Sequence, residues 1–371
     1  MGNLDKDIYQ KKMAIRYCLL TSSLPFLEVN VENKRELSDT ATVVTDVDVL
    51  GIAIDGNGSI NKSIFDCKTL GKTSPINRAF WAAGLMQYLD CDEAFVILRK
   101  KASEAHRLSA KHIDVHLFSE KQFVNYAQSY SMDFGLDYCY STDMSSWQLH
   151  SRTFDKNSGF EKFGQFLNGE LPLESDAVRG IRRLLAALDK GKGEFNPSKP
   201  QHAAIFLHSL MMFSLMMARV IHDFKSIVDY DADKDSFEKI LGYYIWGGRE
   251  AYTKKLKLTE LFYSTRTSAS QANELELNEW SSFIEMSRKL LDSPRDVYNC
   301  CLPLREMSFR SISKVDPSKD EFVVGLFKKN NRLRQFISLQ ARYLVRAAGL
   351  PKEFYENLVD IFKSLQISTT K

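Results

Sequence analysis

A chain of 371 residues exceeds the roughly 150 of a typical domain, so two domains, or one with a large elaboration, is the expectation. Hydrophobic residues make up 44%, with 24 Phe, 15 Tyr and 4 Trp against only 9 Pro and 18 Gly, which excludes a disordered, fibrous or low-complexity chain. With 50 basic and 47 acidic residues the net charge is +3, so any polyanion site has to come from local clustering.

The opening MGNLDKDIYQKK has no apolar core behind a basic start, so it does not read as a secretory signal, and Lys6 stands where N-myristoylation favours Ser or Thr. From Asp7 to Leu20 the apolar residues Ile8, Met13, Ile15, Leu19 and Leu20 recur among polar ones, predicting an amphipathic helix. Phe26 to Glu32 alternates apolar and polar side chains and predicts a strand. Thr45 to Ile54, the turn Asp55 to Gly58, and Ser59 to Thr69 predict a β-hairpin, because Gly and Asn supply the positive φ of a tight reversal. Ser74 and Pro75 read as an N-cap followed by Pro in the first helical position, opening a helix to about Asp90. A buried strand follows at Ala94 to Leu98, a helix at Ser103 to Lys111, and a strand at Ile113 to Phe118. This order predicts an α/β unit, a mixed sheet with flanking helices, over residues 1–125.

Beyond about residue 130 helical patterns dominate: Asp176 to Leu188, Gln201 to Val228, Ser236 to Trp246, Gln271 to Leu291, Asp320 to Gly349 with a break, and Pro351 to Leu365. Residues 126–371 therefore read as an all-α domain, with an internal linker at 190–200 marked by its Gly and Pro residues. The one long apolar stretch, Ala203 to Ile221, is interrupted by His208 and Arg219 and predicts a buried core helix rather than a membrane span. Its cluster Met211, Met212, Met216 and Met217 reads as core filling. His202, His208 and His222 read as core or capping histidines, since no Cys or acid stands at ligand spacing. Gly247 and Gly248 mark a helix break. Phe327 to Arg346 carries Lys328, Lys329, Arg332, Arg334, Arg342 and Arg346 without an acid, interleaved with Phe336 and Tyr343; it suits either a phosphate-tracking surface or a solvated helix face.

The six cysteines, Cys18, Cys67, Cys91, Cys139, Cys300 and Cys301, contain no C-x-x-C, and their only close pair is vicinal. That suits neither a zinc site nor an ordinary disulfide framework, and predicts reduced packing thiols in a cytoplasmic protein. No fixed-period repeat and no phosphate-binding glycine loop is present.

The chemistry concentrates in the hairpin. Residues two apart in a strand share a face, so Asp46 and Asp48 project together from the first arm, and Asp66 and Lys68 from the second. Three carboxylates and one amine on a single patch lose hydration unless something compensates them. A hard divalent cation does so, and Mg²⁺ typically takes one or two carboxylates plus water and phosphate oxygens. A lysine one strand repeat from such a ligand is placed to orient or deprotonate a water, or to stabilise charge building on phosphorus oxygens.

With its order helix, strand, hairpin, helix, strand, and with Asp48 followed by Asp66-Cys67-Lys68 at the end of the hydrophobic run from Ile64, the chain resembles the PD-(D/E)xK nuclease superfamily, the restriction-endonuclease-like fold, over about residues 5–125. The resemblance implies that Asp48 and Asp66 bind Mg²⁺ or Mn²⁺, that the Cys67 backbone carbonyl is a further ligand, and that Lys68 is the catalytic lysine. Many members complete the site with an upstream Glu; Glu28 is the candidate, because the first helix contains none. Val47 stands where the family has Pro. It further implies a metal-dependent nuclease cleaving phosphodiester bonds, DNA before RNA, in a restriction or phage-defence setting. The helical half would then recognise substrate, a protein partner or a second copy. The alternative is a non-catalytic nucleic-acid-binding or assembly subunit on the same fold.

Acid-x-Lys occurs three times, at Glu32 to Lys34, Asp66 to Lys68 and Asp223 to Lys225; only the second ends an apolar strand paired with an acid-bearing arm. The helix opening at Ser74 presents free amides suited to a phosphate, and Arg78 in its first turns is the candidate phosphate contact. Gln87, nine residues on, falls on the opposite side of that helix.

Overall fold

The computed structural model describes residues 6–33, 40, 42–69, 74–155, 158–264 and 277–366. Met1 to Asp5, Lys34 and the beginning of the helix expected from Gln271 lie outside the described residues. The chain divides into two units, each discontinuous in sequence: Met1–Glu174 with Arg305–Gly325, and Ser175–Leu304 with Leu326–Lys371.

The first unit is built on a five-stranded mixed sheet in sequential order. Helix α1 (Ile8–Leu20) leads into β1 (Leu24–Glu32), β2 (Val43–Ile54) and β3 (Ile60–Lys68), an antiparallel meander. Asp55 closes the β2–β3 turn: its carboxylate accepts from the Asn57 and Ser59 amides at 2.8 and 2.9 Å, and Gly58 supplies φ 91°. Helix α2 (Pro75–Leu89) crosses to β4 (Glu93–Leu98), and α3 (Glu104–Lys111) to β5 (Val115–Ser119), both parallel additions. Sequence periodicity places each of these elements to within a few residues. It misses α4 (Glu120–Gln128), whose signal is the Ser119/Gln122 capping box.

Strand alternation fixes which side chains meet α1 and α4. Val49, Phe65, Cys67, Phe95 and Ile97 pack with Met13, Tyr17, Cys18 and Phe123 in one core cluster. That leaves Asp48, Asp66 and Lys68 for the opposite face. The close approach of α1 requires Gly51, since a Cβ there would stand 2.9 Å from the Cys18 sulfur. The open edge of β1 is covered by the turn Phe166–Glu170, with Gly169 against the Asn30 backbone.

Further short helices, α5 (Met144–Arg152) and α6 (Glu161–Gln165), complete this unit together with residues 305–325. Two buried charges tie the returning segment down. The Arg305 guanidinium donates to the Pro25 carbonyl at 2.8 Å between the rings of Phe26 and Trp147, and the Glu306 carboxylate accepts from the Tyr140 and Ser141 amides at 2.7 and 3.0 Å. The division expected at residues 125/126 falls inside this unit, because contacts so distant in sequence leave no local pattern.

The second unit is helical, and its elements include α7 (Ala177–Gly191), α8 (Pro200–Phe224), α9 (Lys234–Ile245), α10 (Arg249–Ser264), α11 (Trp280–Leu290) and α12 (Pro294–Asn299). The chain then runs through α13 (Cys301–Ile312) and α14 (Pro317–Lys329) to α15 (Arg332–Ala347) and α16 (Glu353–Ser364). The break expected between Asp320 and Gly349 falls at Asn330 and Asn331. Helix α8 is the core of this unit, with 94% of its most apolar window buried. Its four methionines are at most 1% exposed, and Phe213 stacks on Tyr343 at 5.6 Å. His202 accepts from the Asn196 amide at 2.9 Å, tying the linker to the start of α8.

Candidate active site

The middle of β2 and the end of β3 bring Asp48, Asp66 and Lys68 together. The Lys68 ammonium lies 3.0 Å from one Asp48 oxygen and 3.6 Å from Asp66. The same Asp48 oxygen, Oδ2, accepts from the Cys67 amide at 2.8 Å, so Asp48 is locked to the backbone of the strand carrying its two partners. The end of β3 is held from α1: the Thr69 amide donates to the Asp7 carboxylate at 2.6 Å, and Gln10 donates to the Thr69 hydroxyl at 3.1 Å. Asp48 and Asp66 side chains are 8% and 5% exposed and Lys68 is 35% exposed, so the amine is the member of the trio that reaches solvent.

Around the trio stand groups that balance its charge. Arg78, from the first turns of α2, forks onto both oxygens of Asp66, its Nε at 2.8 Å, while its guanidinium lies 4.4 Å from the Trp81 ring centre. Lys11 on α1 is buried; its ammonium pairs with Glu28 and lies 3.7 Å from Asp48 Oδ1. Glu28 has left-handed backbone, φ 55°, inside β1, a conformation that disfavours every residue but Gly by about 1–2 kcal/mol. Glu28, Asp48 and Asp66 are thus matched by Lys11, Lys68 and Arg78. Asp46 is exposed, and its field acts on Glu28.

Burial raises the Asp66 pKa, and Arg78 and Lys68 offset only part of that cost. Burial likewise raises Glu28, against the opposing pull of Lys11. For Lys68, burial disfavours the ammonium, but Asp48 and Asp66 outweigh it and the pKa rises above the usual lysine value. The side chain is therefore a fixed positive charge, suited to donating hydrogen bonds and stabilising negative charge rather than to accepting a proton.

Among the described residues no group of three or more His, Cys, Asp or Glu side chains is arranged to hold a metal ion. The side-chain donors at the site are two carboxylates, Asp48 and Asp66, since Glu28 is held by Lys11. The Cys67 thiol is fully buried in the core cluster, where burial raises its pKa well above the usual value, so Cys67 offers only its backbone carbonyl. An all-oxygen set of this size fits a hard ion that keeps its waters and takes phosphate oxygens. Among the described residues Asp48 Oδ1 has the Lys11 ammonium 3.7 Å away as its one ionic neighbour, while both Asp66 oxygens are occupied by Arg78 and become available when that fork opens.

Lys11 and Gln10 escape sequence reasoning. The signal for Lys11 is its place three, four and seven residues before the buried Ala14, Ile15 and Cys18, a lysine on the apolar face of α1. The basic stretch of the second unit lies elsewhere in sequence: Lys328, Lys329 and Arg332 are exposed, and Arg334 is half-buried with its guanidinium 5.7 Å from the Phe362 ring. Comparison with family models, curated proteins and solved structures yields no match to this chain.

Proposed function

We propose that this protein is a divalent-metal-dependent nuclease of the restriction-endonuclease-like type, hydrolysing phosphodiester bonds, DNA first. The observation that carries this reading is one lysine ammonium between two buried carboxylates on adjacent strands, 3.0 and 3.6 Å away. Carboxylates perturbed by burial beside a specific charge partner concentrate where chemistry is done.

In this reading Asp48 and Asp66, with the Cys67 carbonyl, hold Mg²⁺ or Mn²⁺, which when bound supplies Lewis-acid polarisation of the phosphodiester and a water of lowered pKa. Lys68, held protonated, donates to the attacking water or to a non-bridging oxygen and stabilises its developing charge. Arg78 exchanges Asp66 for a substrate phosphate, the planar fork serving either anion. Asp48 keeps Lys68 in place through its bond to the Cys67 amide.

The matching of three carboxylates by three cations favours a second reading, a nucleic-acid-binding or assembly subunit without catalysis, because the patch is already neutral without an ion. Incubation of supercoiled and linear DNA, and of RNA, with Mg²⁺ or Mn²⁺ separates the two. Cleavage lost in Asp66→Asn and Lys68→Ala supports the nuclease; no cleavage by wild-type protein with either ion, despite binding, supports the second reading.

A further inference from the structure

The helical unit contains a cavity of about 990 Å³ between α7, the end of α9, the start of α11 and the end of α15. This is at the upper end of the volumes that hold small ligands. Its chemistry is that of two arginines and two indoles.

Arg182 is half-buried. One of its amines donates to the Ile245 carbonyl at the end of α9, and its guanidinium stacks 4.0 Å from the Trp246 ring centre. That carbonyl is available because Gly247 and Gly248, at φ 75° and 115°, end the helix there. The Arg182 Nε–H is buried and finds no acceptor, and no carboxylate pairs with the group among the described residues. Burial lowers its pKa, and the field of the Asp176 carboxylate offsets only part of that, the mark of a cation taken from water without full compensation. Arg346, exposed at the rim, also has no carboxylate partner among the described residues.

The other charges at the cavity are engaged. Asp189 and Lys192 pair with each other at 2.8 Å, and Glu279 accepts from the Ser282 hydroxyl at 3.1 Å. Glu279 still contributes one negative charge, so the lining carries a net +1 from Arg182, Arg346 and Lys192 against Asp189 and Glu279. Trp280 supplies an aromatic wall. Its indole nitrogen donates to Glu238 at 3.1 Å, and Phe283 stacks behind it at 5.7 Å and 15°. The ring is thus fixed before any ligand arrives, and little entropy is lost when a second ring stacks on it.

We propose that this cavity binds a nucleotide, with the base against Trp280 and the phosphate on the Arg182 and Arg346 guanidinia. Arg forks match phosphate oxygens bidentately, and base–indole stacking tolerates every base. The nucleotide is either free or part of a single strand, since both present the same base and phosphate. The site lies within the helical unit and does not depend on the assignment of the hairpin carboxylates.

The test is calorimetric titration of the full chain in EDTA, where no metal-dependent cleavage occurs, with ATP, with a short oligo-dT and with inorganic pyrophosphate. The expected result is one site per chain for ATP or oligo-dT, weakened roughly tenfold to a hundredfold in R182Q and in R346Q, and weakened also in W280L. R346Q keeps the test valid if R182Q perturbs the fold, because Arg346 is exposed. ATP binding that oligo-dT does not displace identifies a free nucleotide; displacement, or binding of the oligonucleotide alone, identifies a strand. Pyrophosphate binding as tightly as ATP, titrations flat for both nucleotide probes, or R346Q and W280L both matching wild type would each overturn the proposal.

Discussion

Lys11 is the side chain whose removal tests the electrostatics of the site most directly. It is 1% exposed and stands between Glu28 and Asp48, themselves 7% and 8% exposed, so solvent screens none of the three well. Lys11→Met keeps most of the apolar stem and its packing and deletes the ammonium, its charge and its N–H donors. Two buried carboxylates are then left short of a counter-charge, and breaking a buried pair by removing one partner costs about 3–5 kcal/mol. For a cooperative unit of this size that corresponds to a fall in Tm of roughly 6–20 °C. Equilibrium urea unfolding of wild type, Lys11→Met, Glu28→Gln and the double variant, in EDTA near neutral pH, completes a double-mutant cycle. The double variant restores the charge balance and should recover at least half of the loss. If Lys11→Met unfolds within about 0.5 kcal/mol of wild type, or if the double variant is no more stable than Lys11→Met, the argument that these three groups form one balanced buried cluster is wrong.

Asp66→Asn and Lys68→Ala should each abolish metal-dependent cleavage in a gel assay; Asp66→Asn should leave Tm unchanged or raised, because burial raises its pKa and the ionised form is the one penalised. Asp48→Ala should behave differently, losing about 1–3 kcal/mol, because the Cys67 amide loses its acceptor; calorimetric melting of the two variants side by side shows whether they diverge. Glu306 has a raised pKa from burial, so its contribution to stability is present in acid and is lost as pH rises through the folded value. Glu306→Gln should therefore flatten the pH dependence of unfolding between acid and neutral pH, and an unchanged slope would show that Glu306 does not titrate there. Neutralising Lys328, Lys329, Arg332 and Arg334 together should lower nucleic-acid affinity about equally for all sequences and flatten the salt slope by up to about 0.9 per lost contact on duplex DNA. Arg334, half-buried against Phe362, should contribute least, and identical salt titrations would make the stretch a solvated helix face.

What the sequence by itself determined was most of the local structure around the site. Period-two alternation and the Asp55 to Gly58 turn located β2 and β3, and because their residues alternate strictly, the facing of Asp48, Asp66 and Lys68 away from Val49, Phe65 and Cys67 followed from spacing alone. The Ser74 and Pro75 start of α2 placed Arg78 one turn inside a helix, and the unbroken apolarity of Ala203 to Ile221 marked a core helix. Tertiary structure decided what each charge pairs with. Nothing in the sequence says that Arg78 reaches Asp66 rather than solvent, that Lys11 enters a buried pair with Glu28, or that Glu28 takes a left-handed backbone in the middle of a strand. Nor could any local pattern attach Arg305 to the Pro25 carbonyl of β1, or Glu306 to the amides of Tyr140 and Ser141. Periodicity records which face of an element is buried and carries no information about which other element covers it. Charge compensation and domain limits depend on contacts between residues far apart in the chain, and those exist only once the helices and strands have packed.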